Sequence, residues 1–376
     1  MSINQKGTVV MPTGAGKTLS MITHVKNIFA SNDGAKTIVV IVSPRILLSQ
    51  QLSSEFLEQI DNVAVMHVHS GDTHHFSSTK PNIIHNWSAQ AYSKQLIFTT
   101  YHSLHRIQEA GLNVHTIHFD ESHNSIKKNF FPATKHFSST SNFCFFHTAT
   151  PVYSATNNKP GMNDAEVYGQ VICKVPAPEL VSGGFIVPPK VSVKQLDVSS
   201  SNIYERDCKH LLDTVEGECI NKGLICAKST KQIVGLMSNT SFFEEMQERG
   251  YSVLYITAKT GAVIDGKKVN REKFFETLNA WGKDHNKKFV VLHRSILSEG
   301  INCSELEGVI FMRNMDAIEL TQTIGRVVRI GSESKTYGML CVPVYSNVGI
   351  ATEKSLQKVV DIVFEQGEML DSVTRR

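Results

Sequence analysis

The stretch VVMPTGAGKT at residues 9–18 narrows the folds open to this chain more than any other feature. An apolar run followed by two glycines that close on Lys17 and Thr18 is a strand turning into a helix around an anion. Gly14 and Gly16, with Ala15 between them, let the backbone curl close to phosphate oxygens. The N–H groups at the helix start point at the anion, and the helix dipole adds to the attraction. Lys17 supplies a point charge and Thr18 a hydroxyl suited to Mg²⁺. Such a loop belongs at the carboxyl end of a parallel strand, in an α/β fold. Met11 stands where such loops commonly begin with glycine.

The rest of the sequence keeps to that plan. Short β-rich apolar runs alternate with helical patterns, as in a parallel sheet covered by helices. Strands are expected near 8–11, 37–43, 63–68, 95–100, 115–120 and 143–149, with helices near 18–30 and 45–60. A second series follows, with strands near 223–227, 252–257, 288–293, 307–313 and 336–342 and helices near 203–220, 270–281 and 316–329. Between the two lies PELVSGGFIVPPK (178–190), whose paired glycines and paired prolines read as a hinge. Residues 352–370 read as a terminal amphipathic helix. The expectation is two tandem α/β lobes, 1–186 and 187–345, each a mostly parallel sheet flanked by helices, and a helical tail at 346–376. A length of 376 residues suits about two domains.

Composition narrows the class further. No run approaches the roughly 18 apolar residues of a membrane span, and no basic-then-apolar leader opens the chain. Seven scattered cysteines with no C-x-x-C pair read as reduced thiols, so a soluble, intracellular protein without a membrane partner is expected. A net charge of +3 allows a phosphate-backbone partner without demanding one.

The second chemical element is HTIHFDESHN (115–124), which places Asp120 and Glu121 at the end of an apolar strand. Strand ends in such sheets line the ligand crevice. Asp120 is suited to Mg²⁺, and Glu121 to orienting and deprotonating an attacking water. An Asp-Glu pair after a strand often merely caps a helix; beside the phosphate loop it becomes a site.

Asp-Glu-Ser-His together with this loop resembles the second motif of superfamily 2 helicases of the DExH group. Further strings follow in that family's order. VSPRILLSQQ and FTTYHSL resemble its nucleic-acid backbone motifs, which implies contacts by Ser43, Arg45, Thr99 and Thr100. TATP resembles the motif that links hydrolysis to movement, with Thr148 and Thr150, and His123 would couple the nucleotide to the second lobe. In the second half LICAKST sits where motif IV belongs, with Ser229 as a contact. SILSEGINC resembles motif V, with Ser295 on nucleic acid and Gly300 on nucleotide; Asn302 departs from the aspartate often found there. QTIGRVVR fits Q-x-x-G-R-x-x-R, implying Gln322, Arg326 and Arg329 near the γ-phosphate.

The resemblance implies two RecA-like lobes, ATP and Mg²⁺ as cofactors, and hydrolysis that needs groups from both lobes. It implies movement along nucleic acid or unwinding of it. KKNFFPAT and MNDAEVYG look like the helicases of viruses and phages and restriction-type translocases, which favours DNA over RNA. A nucleic-acid-stimulated ATPase that clamps without unwinding stays open. Lys127 and Lys128 read equally as backbone contacts and as surface charges. The histidines of MHVHSGDTHH (His67, His69, His74, His75) read as a solvated strand end rather than a metal site. Phe130, Phe131, Phe143, Phe145 and Phe146 read as packing rather than base-stacking residues. Relatives place an adenine-reading glutamine segment before the first strand, and Gln5 lies too near the loop to serve. Relaxed base choice is therefore expected, checked by comparing ATP with GTP, as is an exposed side of the first sheet that a protein partner would cover.

Overall fold

The computed structural model describes residues 5–32, 34–156, 158–195, 202–257, 259–294, 305–331, 335–344, 349–368, 370 and 372–374. The chain divides into two units, Met1–Val175 with Met369–Arg376, and Pro176–Glu368.

In the first unit the strands are β1 (Gln5–Val10), β2 (Thr37–Ser43), β3 (Ala64–Val68), β4 (Lys94–Thr100), β5 (Thr116–Phe119), β6 (Phe143–Thr148), β7 (Val152–Ser154) and β8 (Gln170–Lys174). Seven of them form one parallel sheet in the order β3-β4-β2-β5-β6-β1-β8. Helices α1 (Lys17–Ser31), α2 (Ile46–Leu57), α3 (Pro81–Ser88), α4 (Leu104–Glu109), α5 (Phe131–Thr140) and α6 (Ala165–Tyr168) make the connections. Central β2, TIVVIVS, shows why the sheet is sandwiched, since all seven residues are buried. Its alternate side chains serve two cores: Val39 and Ile41 pack with Met21, Val25 and Leu52, whereas Ile38, Val40 and Val42 pack with Leu104, Phe137 and Phe146. Each such side chain contributes about 1.5–3 kcal/mol on burial.

The second unit holds helix α7 (Ala177–Ser182), then β9 (Pro189–Gln195), α8 (Ile203–Gly217), β10 (Lys222–Cys226), α9 (Thr230–Asn239), α10 (Phe242–Glu248), β11 (Ser252–Thr257), β12 (Gly261–Ile264), β13 (Lys267–Val269), α11 (Arg271–Lys283), β14 (Phe289–His293), β15 (Gly308–Phe311), α12 (Ala317–Val327), β16 (Gly338–Val344) and α13 (Ile350–Val359). The sheet order is β13-β12-β11-β14-β10-β15-β16-β9, parallel except where β12 and β13 fold back as hairpins.

Several expectations need correction. The stretch 178–190 is not a free hinge: its start lies in α7, and Pro189 and Lys190 open β9, which pairs with β16. Pro189 is tolerated because β9 is an edge strand and a first-position proline needs no ladder N–H. Strand β1 is covered by β8, which pairs along it and is itself the exposed edge strand of the first sheet. The terminal helix ends early: α13 passes into a π turn, Val360–Glu365, and β17 (Ser372–Thr374) pairs with β7 in the first unit. Two of the four histidines at the strand end are not solvated, whereas His74 is exposed and His75 half-buried. His67 and His69 are buried, hydrogen-bond each other at 3.0 Å, and His67 also meets Ser53 Oγ at 3.1 Å. Among the described residues there is no cluster of three or more histidine, cysteine and carboxylate side chains placed to hold a metal ion, and no helix is long and apolar enough to cross a membrane. Phe130 and Phe146 lie in the core, and Phe131 packs against it.

Buried histidines give the fold an acid limit. Burial pushes His67, His147 and His293 down to about 3 and His210 to about 4, and lowers His118 as well. In the unfolded chain each titrates near about 6.5. The unfolded state therefore takes up protons that the folded state refuses, so stability is complete above about pH 6.5 and drains away toward pH 5. Each histidine contributes a slope of up to about 1.4 kcal/mol per pH unit there. Urea unfolding across this window should show that slope, with His210→Gln flattening it for the second unit; a pH-independent free energy would contradict this account.

Candidate functional site

In the first unit β5, β6 and β1 are neighbours running the same way, so the loops leaving their carboxyl ends collect at one edge. Val10 lies opposite Thr148, and Met11 N donates to Thr148 O at 3.0 Å. Residues 11–18, 120–124 and 148–150 therefore come together. Within the first loop Ala15 N donates to Pro12 O, and Gly14 and Gly16 take φ of 89° and 88°. A Cβ on Gly16 would meet nothing within 4 Å, so the left-handed backbone, not crowding, selects glycine. Helix α1 has no side-chain cap and no acid in its first turn. Its leading N–H groups are available to an anion, the chemistry expected of this loop.

The charges around that loop are few and close. Lys17 is buried; its Nζ donates to Met11 O at 3.3 Å and lies 3.9 Å from Glu121 Oε1. Asp120 is buried beside it, and burial first, then the neighbouring Glu121 charge, holds its carboxyl well above the usual range. Glu121 adopts a left-handed backbone, φ 46° and ψ 52°. Its Oε2 is buried without a hydrogen bond, 3.5 Å from His123 Nδ1.

His123 joins the loops. Asn124 Nδ2, a donor, sits 3.1 Å from His123 Nε2, and Asn124 Oδ1 accepts from Lys127 Nζ. That assigns the acceptor role to Nε2 and the proton to Nδ1, which reaches Thr148 Oγ1 at 3.1 Å. Thr150 N donates to the same Thr148 Oγ1. Glu121, His123, Thr148 and Thr150 thus form one connected path, and the hydroxyls of Thr13 and Thr150 are buried without partners beside it. Sequence reading missed Asn124, although its place directly after Asp-Glu-Ser-His was the available signal.

The expected nucleic-acid contacts divide. Ser43, Thr99 and Thr100 are buried, and their hydroxyls are spent inside the unit, on Arg45 O, Val68 O and Ser103 Oγ. Arg45, Lys127 and Lys128 are exposed. In the second unit Ser229 caps α9, accepting from Gln232 N at 3.1 Å. Gln322 and Arg326 lie buried on α12, and Arg329 follows it. Ser295, Gly300 and Asn302 fall outside the described residues. An arginine that sequence reading passed over, Arg313, makes a two-pronged ion pair with Glu319 of α12. Nearby, burial first and the Arg326 and Arg313 charges next keep His293 neutral.

Residues 2–153 match the family described as type III restriction enzyme, res subunit, and residues 206–331 match the helicase conserved C-terminal domain. No curated protein matches the chain. Among solved structures, the ATP-dependent Type ISP restriction-modification enzyme LlaBIII bound to DNA is 19% identical, with TM-score 0.76 over 98% of this chain and 30% of that one. A fragment of a putative HsdR subunit of a type I restriction enzyme from Vibrio vulnificus YJ016 is 15% identical, with TM-score 0.62 over 98% of this chain and 64% of that one. Mss116p bound to ssRNA and AMP-PNP is 15% identical, with TM-score 0.61 over 100% of this chain and 72% of that one. The chain spans less than two thirds of the two restriction proteins, and at these identities the likeness is one of fold, two RecA-like α/β units.

The left-handed backbone of Glu121 carries a measurable cost, about 1 kcal/mol for a residue with a Cβ. Glu121→Gly should raise the melting temperature of the first unit by roughly 2–4 °C while removing the carboxylate. Glu121→Gln should leave the melting temperature near that of the parent. If the glycine variant melts below the glutamine variant, the backbone strain is not there.

Proposed function

Carrying the paired domains of a superfamily 2 helicase core, this chain is, we propose, a nucleic-acid-dependent ATPase that translocates along DNA or unwinds it. The observation that carries the reading is the meeting of Lys17, Asp120 and Glu121 at an uncapped helix start, with one Glu121 oxygen left without a hydrogen bond. Phosphoryl transfer asks for positioning and charge neutralisation more than for covalent chemistry, and that is what this cluster offers.

In this reading the amides of residues 14–18 and the Lys17 ammonium hold the β- and γ-phosphates of ATP. Thr18 and Asp120 are the residues that would hold Mg²⁺, which when bound neutralises charge developing on the phosphates. The donor set fits: a hydroxyl and a carboxylate supply the oxygens such a cation takes, and a cation beside Asp120 offsets the crowding of two acids. Glu121 Oε2 orients the attacking water and accepts its proton. His123, fixed by Asn124 and bonded to Thr148, passes the state of Glu121 to the Thr148–Thr150 loop. From the second unit we assign Gln322, Arg326 and Arg329 to the γ-phosphate, a contribution typically worth about 10³–10⁵ in rate.

Arg45, Lys127 and Lys128, all exposed, we assign to the phosphate backbone, with Ser229 at the head of α9. Ser43, Thr99 and Thr100 we keep in that interface through their backbone, because their hydroxyls are already used. Such contacts carry little sequence preference. DNA is the favoured track, in keeping with the restriction-enzyme family matched by the first unit.

Lys17→Ala should abolish ATP turnover and largely spare nucleic-acid binding. Arg326→Ala should lower kcat about 10³-fold. Stimulation should be strongest with DNA and should fall as salt rises, because bound phosphates release counterions. Turnover measured with single-stranded DNA, duplex DNA and RNA decides the track. Stronger stimulation by RNA would reassign it, strand displacement separates unwinding from clamping, and turnover indifferent to both nucleic acid and salt would end the motor reading.

A further inference from the structure

We propose that Lys335 is a positioning residue, an ammonium joint that locks the segment entering β15 to the backbone that carries Arg329. Its Nζ donates to Leu306 O and to Arg329 O, both at 2.6 Å. These acceptors are far apart in sequence. Leu306 belongs to the buried approach to β15, where Glu307 N donates to Lys222 O and Glu307 Oε2 accepts from Asn221 N. Arg329 stands just beyond α12, where it forms a bridge with Ile186 while Val187 N donates to Val328 O.

The surroundings leave little play. Gly331 packs so closely that a Cβ there would lie 3.3 Å from both Glu305 Cβ and Lys335 Cδ. Gly338, the first residue of β16, faces the end of α12 so tightly that a Cβ would come within 2.5 Å of Val327 O. The helix end is thus held by β16, by Ile186 and by Lys335. An ammonium suits this task, since it donates to several carbonyls at once and charge assistance roughly doubles each bond. An arginine whose backbone drifts by an ångström loses much of its effect on a phosphate. The joint therefore acts through Arg329, and its relevance to turnover rests on the role proposed for Arg329 above.

The same joint is sensitive to alkali. Burial pulls Lys335 down to about 8, against the opposing pull of the Glu307 and Glu305 carboxylates; the Arg329 and Lys222 charges add to the lowering. Lys222 also binds Glu305 Oε2 at 3.1 Å, and His285 Nδ1 lies 3.3 Å from the same oxygen. The ammonium is present below about pH 8 and lost above it, so both bonds weaken as pH rises.

The test uses the full chain and the variants Lys335→Met and Lys335→Arg, with two readouts between about pH 7 and 9.5. Amide-exchange protection of residues 326–331, corrected for intrinsic rates, reports the joint without reference to turnover. Steady-state ATP hydrolysis gives kcat and KM. In the parent, protection and kcat should fall together through about pH 8. Below about pH 8, Lys335→Met should exchange about tenfold faster than the parent and lose about 10–100-fold in kcat with KM nearly unchanged, the difference closing as pH rises. Lys335→Arg should keep protection and kcat and carry both past pH 9, since guanidinium does not titrate there. Parental protection in Lys335→Met, or an unmoved alkaline fall in Lys335→Arg, overturns the joint. Should Lys335→Met fail to fold, the arginine variant decides alone. If the parent hydrolyses no ATP, the functional reading fails while exchange still judges the joint.

Discussion

Parallel pairing of β5, β6 and β1 is the constraint on which everything else in the first unit rests. Strands that run one way deliver their following loops to one edge, so a lysine near the start of the chain meets acids and threonines far downstream. The register is set from inside, because shifting β5 or β6 by one residue would turn Ile117 or Phe146 out of its core. Packing energy thus holds the charges where they are. The charges themselves add little: two adjacent acids against one ammonium, with a carboxylate oxygen left over.

The expensive features cluster where the chemistry is. Glu121 is strained, Asp120 is buried beside a like charge, and the Thr13 and Thr150 hydroxyls are buried without partners. Elsewhere in the unit local preference and fold agree, from uniformly buried β2 to α1 with Met21, Ile22, Val25, Ile28 and Phe29 on one face. Locations where residues contradict their surroundings mark functional ground.

Much of this was legible beforehand. The apolar runs at 37–43 and 252–257 became strands with those limits, and the loop, the acids and Arg326 lie on the elements expected of them, whereas the helix stops at Val327, short of Arg329. Where sequence reading failed, a physical reason is visible. Paired glycines and prolines at 178–190 looked like a hinge, but proline suits the first position of an edge strand as well as it suits a linker. β12 and β13 were passed over although Asp265-Gly266, both with positive φ, is the turn that joins such strands. Strand β8 is short and fully exposed, so it carries no burial pattern. His67 and His69, at the end of β3, were placed in solvent by residue type, whereas each partners the other inside. Contacts were expected of Ser43 and Thr99 without saying through which atoms, and no pattern in sequence reveals that a threonine hydroxyl will bond a neighbouring strand.

The contact at Gly338 has a genetic corollary. This position bears no functional group, yet even the smallest added carbon collides with the peptide at the foot of α12. Exchanging it for alanine would displace the helix that carries Gln322 and Arg326, moving both side chains through shape alone. Inherited lesions in such a chain will therefore include silent-looking sites, where what matters is not what a residue offers but the room it leaves.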